Sequence, residues 1–217
     1  MTDPLDITDR SRLRRTHERG HFDRPTINGI LDAQPMCNVG YVIDGKPYVT
    51  PTFQWREGNR VYWHGSSASR ALRQSKDAQV CLTVSILDGF VLARSGMHHS
   101  ANTRSVMLFG TATKVEDPDD KLEKLRTFVN GLFPGRYDTL RPDHAQDLKA
   151  TMVLGMDISE GSAKIRVGDP SDDEDDYALP IWAGVIPVTT HIGEPVPDSR
   201  NLDGVVLPDH VRDFHLE

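Results

Sequence analysis

The amino-acid sequence predicts a mainly β protein, an antiparallel barrel with flanking helices, and three observations carry that prediction. Short segments rich in β-branched and aromatic residues recur with two-residue alternation. Successive segments are separated by turn signals such as Asp44-Gly45 and Glu57-Gly58-Asn59, which favour antiparallel hairpins. Strands do not alternate regularly with helices and no dinucleotide fingerprint is present, which argues against a doubly wound sheet. Closing the valine-rich strands into a barrel also removes their exposed edges.

Residues 1–22 are polar, basic in the middle and without an apolar period, and read as an N-terminal arm. Asp23-Arg24-Pro25 is a helix start, with a cap and a proline in the first turn, followed by Ile27, Ile30 and Leu31 at helical spacing; Pro35 closes it. Met36–Ile43 and Lys46–Trp55 form a hairpin about Asp44-Gly45, and Arg60–His64 follows the turn at Gly58. A short helix is expected within 69–78, then a buried strand over Ala78–Leu87. Asp88-Gly89 reads as another hairpin turn, His98 and His99 lie in a polar connection, and Arg104–Glu116 alternates as a strand in which Gly110 marks a bulge.

Asp117 caps the longest helix, whose Leu122, Leu125, Val129 and Leu132 share a face, with acids at its positive end. A weaker helix covers 143–149. Strands at Ala150–Ile158 and Ala163–Val167 are joined by a turn at Glu160-Gly161, giving six or seven strands in all. The acidic run Asp172–Asp176 reads as a solvated loop, and the chain beyond 187 as a Pro/Gly/Asp-rich extension. The organisation is thus an arm (1–22), one barrel domain (23–187) and a C-terminal extension (188–217).

A formal charge of −7, from 25 Lys+Arg against 32 Asp+Glu, argues against nucleic-acid binding. The N-terminus has no signal-peptide pattern, and no segment approaches the roughly 20 apolar residues of a membrane span, so a cytoplasmic protein without membrane contact is expected. Cys37 and Cys81 lie in strands without CxxC spacing and read as reduced core thiols. His98-His99 lacks a companion ligand at metal spacing, and no metal site is expected.

The chemistry concentrates at Tyr48–Lys76, YVTPTFQWREGNRVYWHGSSASRALRQSK. Aromatic strand residues lead into Gly65-Ser66-Ser67-Ala68-Ser69-Arg70, small residues and hydroxyls ending in a cation. Such a stretch cradles a phosphate, or is simply a strand-to-helix turn with a solvated arginine. Trp63 is a ring-framing or a core residue; His64 is a hydrogen-bond partner for a ligand or a surface histidine. Neither a Ser/His/Asp order nor a P-loop is present, so hydrolase chemistry is not supported, and no catalytic residue is named.

In their order, RRTHERGHFDRPTINGIL, GKPYVTPTFQW, RVYWHGSSASRAL, RSVMLFGTATKVEDPDDKLEKL and IWAGVIP resemble the pyridoxamine 5′-phosphate oxidase-like family of flavoproteins, and especially its nitroimidazole-resistance and flavin-nucleotide-binding branch. The resemblance spans most of 14–187. It implies a six-stranded antiparallel split β-barrel, usually a homodimer, with FMN at the subunit interface. Carried over by position, Gly65, Ser66, Ser67, Ser69 and Arg70 would hold the phosphate. Thr50, Pro51, Thr52 and Phe53, with Trp63 and His64, would frame the flavin ring. Arg104, Ser105 and Trp182 would complete the pocket, the last from the partner subunit. Ser69 stands where the oxidases keep a second cation, and their pyridoxal-phosphate contacts are not recognisable, so vitamin B6 oxidation is not implied. The expected function is an FMN-dependent oxidoreductase reducing a small acceptor, such as a nitro-aromatic, with a nicotinamide donor. The alternatives are a flavin carrier without turnover, or a barrel holding haem or a deazaflavin.

Overall fold

A computed structural model of the protein describes residues 3–215. In chain order they form β1 (Gly20–His21), α1 (Arg24–Ala33), β2 (Met36–Ile43), β3 (Lys46–Glu57), β4 (Arg60–Ser66), α2 (Arg70–Ser75), β5 (Gln79–Leu92), β6 (Ser100–Thr111) and β7 (Thr113–Lys114). They continue as α3 (Pro118–Leu132), α4 (Ala145–Ala150), β8 (Thr151–Asp157), β9 (Glu160–Arg166), β10 (Gly184–Pro187) and α5 (Asp209–Arg212). Neighbouring strands run β1-β9-β6-β5-β2-β3-β4-β8-β7, with β10 added to β5, and each of these ladders is antiparallel.

The antiparallel β class is as expected, but the sheet has ten strands in a path that does not close. Three of them, β1, β7 and β10, are only two to four residues long. Seven longer strands carry the core.

The β2–β3 turn forms as the sequence predicts. Asp44 and Gly45 both take positive φ, 50° and 73°, the combination a two-residue hairpin requires. Strand β3 then serves two sheets, pairing through Phe53 with β2 and from Gln54 onward with β4. At that switch its alternation breaks: Val49, Pro51 and Phe53 are exposed, whereas Gln54 and Trp55 are both buried. The Gln54 amide fixes the bend by donating to the carbonyls of Leu31 (2.6 Å) and Gln34 (2.9 Å) at the end of α1. Helix α1 starts as its sequence predicts, with Asp23 accepting from the Thr26 N–H, and sinks Ile27, Ile30 and Leu31 into the core. Each such side chain contributes about 1.5–3 kcal/mol of burial.

Four local expectations are corrected. Asp88-Gly89 is not a turn; β5 runs on to Leu92 with an irregularity between Leu87 and Gly89. Gly89 is needed there because a Cβ would stand 3.0 Å from the Ile186 carbonyl of β10. Gly110 lies in regular pairing rather than at a bulge, and leaves the space occupied by Met156. Strands β8 and β9 do not pair with each other: β8 joins β4 and β9 joins β6, so the chain crosses between sheets at 158–159. The acidic run is not wholly solvated, since the Asp172 carboxylate is sealed from solvent and accepts from the Arg94 backbone and guanidinium, both at 2.9 Å.

Residues 3–22 lie along β9. Leu5 is in the core, Gly20 and His21 pair with Lys164 and Ala163, and Arg10 joins Glu160 in an ion pair over the Phe109 ring. At the far end of the barrel α3 is capped by Asp117, which accepts from the N–H groups of Asp119 and Asp120. Its predicted apolar face is only half-buried, because it packs on the outside of the barrel over Trp55 and Tyr62.

Candidate functional site

Strands β2, β3 and β4 and helix α2 enclose a cavity of about 180 Å³. The β3 alternation directs Thr50 and Thr52 toward it, and Tyr41 from β2 meets Thr50 through a 3.1 Å hydroxyl contact. Strand β4 delivers Trp63, His64 and Gly65, and α2 closes the site with Ser69, Ala71 and Leu72. Of the predicted residues, Thr50, Pro51, Thr52, Trp63, His64, Gly65 and Ser69 are thus gathered at one place.

Gly65 packs closely, and a Cβ there would come within 3.1 Å of the Leu72 side chain. Ser69 caps α2 by accepting from the Leu72 N–H at 3.5 Å. The predicted cradle has spent most of its backbone donors: the Ser67 N–H on Ala150 O, the Ala68 N–H on Ser66 Oγ and the Ser69 N–H on Ser66 O. Anion-binding capacity therefore rests on the hydroxyls and on Arg70. Among the described residues Arg70 has no carboxylate within ion-pair distance, and its guanidinium sits 5.3 Å from the centroid of Tyr48.

His64 is the electrostatically unusual member. Burial pushes its pKa below the ordinary histidine value, favouring the neutral ring, and Nδ1 is buried without a hydrogen-bond partner among the described residues. Its ring packs against Phe128 (4.9 Å between centroids) and Trp55 (5.9 Å). Trp63 is 1% exposed and belongs to the main core as well as to the cavity wall.

The remaining predicted residues lie elsewhere on the chain. Phe53 and Ser105 occupy the outer face of the sheet, Phe53 at 45% exposure. That face carries the small residues Gly40, Ser85 and Ser105 between exposed Val49, Met36 and Met107. Arg104 is held by Asp88 in a two-pronged ion pair at 2.8 and 3.0 Å. Trp182 is two-thirds exposed and stands over Gly184, whose missing Cβ makes room for its ring. Ser66 and Ser67 form the turn below the cavity rather than its lining.

A second, larger cavity of about 720 Å³ had no counterpart in the sequence reading. It lies between α1, β3, α3 and the C-terminal segment, with Trp55 and Phe128 on one side and His210, Phe214 and His215 on the other. The only local sequence signal was the aromatic and histidine content of the tail.

The comparisons with known proteins agree with this architecture. The chain is 49% identical to the flavocytochrome Anf3 from Azotobacter vinelandii, over 99% of this chain and 100% of that one, with a TM-score of 0.95. It is 34% identical to a FAD and haem binding protein from Mycobacterium smegmatis, over 90% of this chain and 97% of that one, with a TM-score of 0.86. A candidate 5-nitroimidazole antibiotic resistance protein from Bacteroides thetaiotaomicron shares the fold at 22% identity and a TM-score of 0.51, over 66% of this chain and 84% of that one. No curated protein matches the sequence. No helix among the described residues is long and apolar enough to cross a membrane. Residues 23–165 match the family model described as pyridoxamine 5′-phosphate oxidase, which includes β2 to β6 and the whole 48–76 stretch, and the chain therefore belongs to that family.

Proposed function

We propose that the protein is a flavin-dependent redox protein that holds the phosphate end of the FMN portion of its cofactor at the cavity at residues 50–70. The observation that carries this reading is the meeting of Thr50, Thr52, His64 and Ser69 around one cavity, with Arg70, which has no ion pair among the described residues, next to Ser69 in the chain. Arg70 and the Ser69 hydroxyl would supply charge and a donor for a phosphate. The unpartnered Nδ1 of His64 is a polar atom that a bound group can satisfy. Flavocytochrome Anf3 and the mycobacterial FAD and haem binding protein, the two relatives named above, support a flavin.

At about 180 Å³ the cavity is smaller than the roughly 300–1,000 Å³ typical of cofactor sites. One chain therefore provides the phosphate end, and the ring is accommodated on the outer face against a second copy, to which Phe53, Ser105, Arg104 and the partner's Trp182 contribute. In this homodimer residues 23–187 are the cofactor-binding split barrel, flanked by 1–22 and 188–217. Bound flavin supplies hydride and single-electron transfer. The chain's residues fix the phosphate, shield one face of the ring and leave an open side for a nicotinamide donor and a small acceptor such as a nitro-aromatic, in the cytoplasm.

The absorption spectrum of the purified protein tests the reading: a band near 450 nm is expected, with FMN or FAD identified in the released extract. Arg70→Ala should weaken flavin binding about tenfold or more, the effect of losing a charge-assisted hydrogen bond, with the unfolding midpoint of flavin-free protein unchanged. Full flavin occupancy in that variant at limiting flavin would refute the phosphate site.

A second cofactor, haem, is favoured by a separate observation. The relative whose name includes a cytochrome aligns over 99% of this chain, tail included, and the tail roofs a cavity of about 720 Å³ walled by aromatic rings.

A further inference from the structure

Given haem as a second cofactor, as proposed above, we infer that it occupies the cavity beneath the C-terminal segment and that Nε2 of His210 is the axial ligand of its iron. The cavity lies within the size range of cofactor sites. Trp55 and Phe128 make one wall, Phe214 another, and Leu31 and Leu132 line it with aliphatic surface.

His210 stands in that lining, with Nε2 buried and without a hydrogen-bond partner among the described residues. A buried imidazole nitrogen without a partner is costly unless something binds it, and a neutral imidazole is a common haem ligand. The tail that presents it is fastened in place. The Phe214 ring packs on Phe133 at 4.8 Å, and Arg212 braces the turn by donating to Asp209 (2.6 Å) and to the Leu207 carbonyl (3.1 Å). Arg56 is the cation in the cavity lining and is available to a propionate, although it is now shared with Asp32 (Nε 2.9 Å). Asp32, Asp209 and Asp213 make the rest of the rim acidic, so the carboxylates of the macrocycle belong at the Arg56 end or in solvent.

The other histidine of the cavity lining, His215, is the natural comparator. Its Nδ1 lies 3.0 Å from the Asp213 carbonyl, and its ring is exposed.

Gly131 gives a test that spares the fold. It lines the same cavity from α3, a Cβ placed there meets nothing within 4 Å, and replacing glycine in a helix removes a penalty of about 1 kcal/mol. The full chain is titrated with hemin and followed by its Soret band and by electron paramagnetic resonance, with flavin content as the check on folding. Wild type should bind one haem with a histidine-ligated spectrum. Gly131→Trp should bind haem at least tenfold more weakly and keep its flavin. His210→Ala should change the spin state and lose haem at least tenfold, with the wild-type spectrum recovered in free imidazole. Should His210→Ala not fold, His210→Met keeps an iron ligand and should shift the spectrum from histidine to thioether ligation.

An unchanged Soret band and resonance spectrum in the His210 variants would overturn the ligand, as would a spectrum that moves only with His215→Ala. Full haem affinity in Gly131→Trp would overturn the cavity. Wild type that takes up flavin but no haem would remove the haem reading itself, and with it this site.

Discussion

The two cavities differ in how the chain builds them. The one at 50–70 is made largely by one continuous stretch, β3, β4 and the start of α2, and its lining mixes hydroxyls and a histidine with core rings. The one beneath the tail draws on residues from Leu31 to His215, and its lining sets three aspartates, an arginine and two histidines among aromatic and aliphatic side chains. A site made from contiguous residues leaves a pattern in the sequence. A site assembled from distant segments leaves only unexplained aromatics and histidines.

The difference extends to stability. The wall of the first cavity is also the protein's core, since Trp63 packs with Val61, Leu82 and Leu154, all essentially inaccessible. The wall of the second is peripheral, resting on the half-buried Phe128 and Phe214. Trp63→Ala should therefore cost about 3–5 kcal/mol in denaturant unfolding, as large-to-small core changes do. Phe214→Ala should cost about 1 kcal/mol or less, because it unfastens a tail rather than a core. Equal losses would mean that the tail is part of the cooperative core and would break the contrast.

The small volume of the first cavity makes a prediction about assembly. Val49 and Phe53 project from the outer face at 68% and 45% exposure, beside the small residues Gly40 and Ser85. Replacing both with glutamate would place like charges across the proposed isologous interface. The variant should elute as a monomer at concentrations where wild type is a dimer, and should lose flavin while its secondary structure is retained. A dimer that persists with bound flavin would place the interface on another face.

The smallest expected effect concerns pH. His64 has its pKa lowered by burial, whereas the unfolded imidazole titrates near 6.5. Between the folded and unfolded values the unfolded state binds more protons, so His64 contributes stability above about pH 6.5 that is lost as pH falls. Thermal midpoints at pH 7.5 and 5.5 should differ less in His64→Phe than in wild type. A difference that does not change would mean that the ring is hydrated.

The outcome along the chain follows the same division between near and distant contacts. Asp44-Gly45 dictated its hairpin because the positive φ values are a property of two adjacent residues. Asp23 and Asp117 announced helix starts that depend on donors two or three residues away. Gly89 and Gly161 carry the same letter as turn glycines, yet each is needed because another strand passes close by: β10 at Gly89 and β6 at Gly161. Nothing adjacent to either residue records that approach, so both were read as turns.

Short-range stereochemistry and alternation were enough to establish an antiparallel β protein, its principal helices and the stretch that lines the smaller cavity. Ten strands in an open path, the crossing between β8 and β9, the burial of Asp172 against Arg94 and the large cavity roofed by the tail came from the packing of segments far apart in the chain. Their free energy lies in contacts whose partners are separated by up to most of the chain's length, and no window of neighbouring residues contains both sides of such a contact.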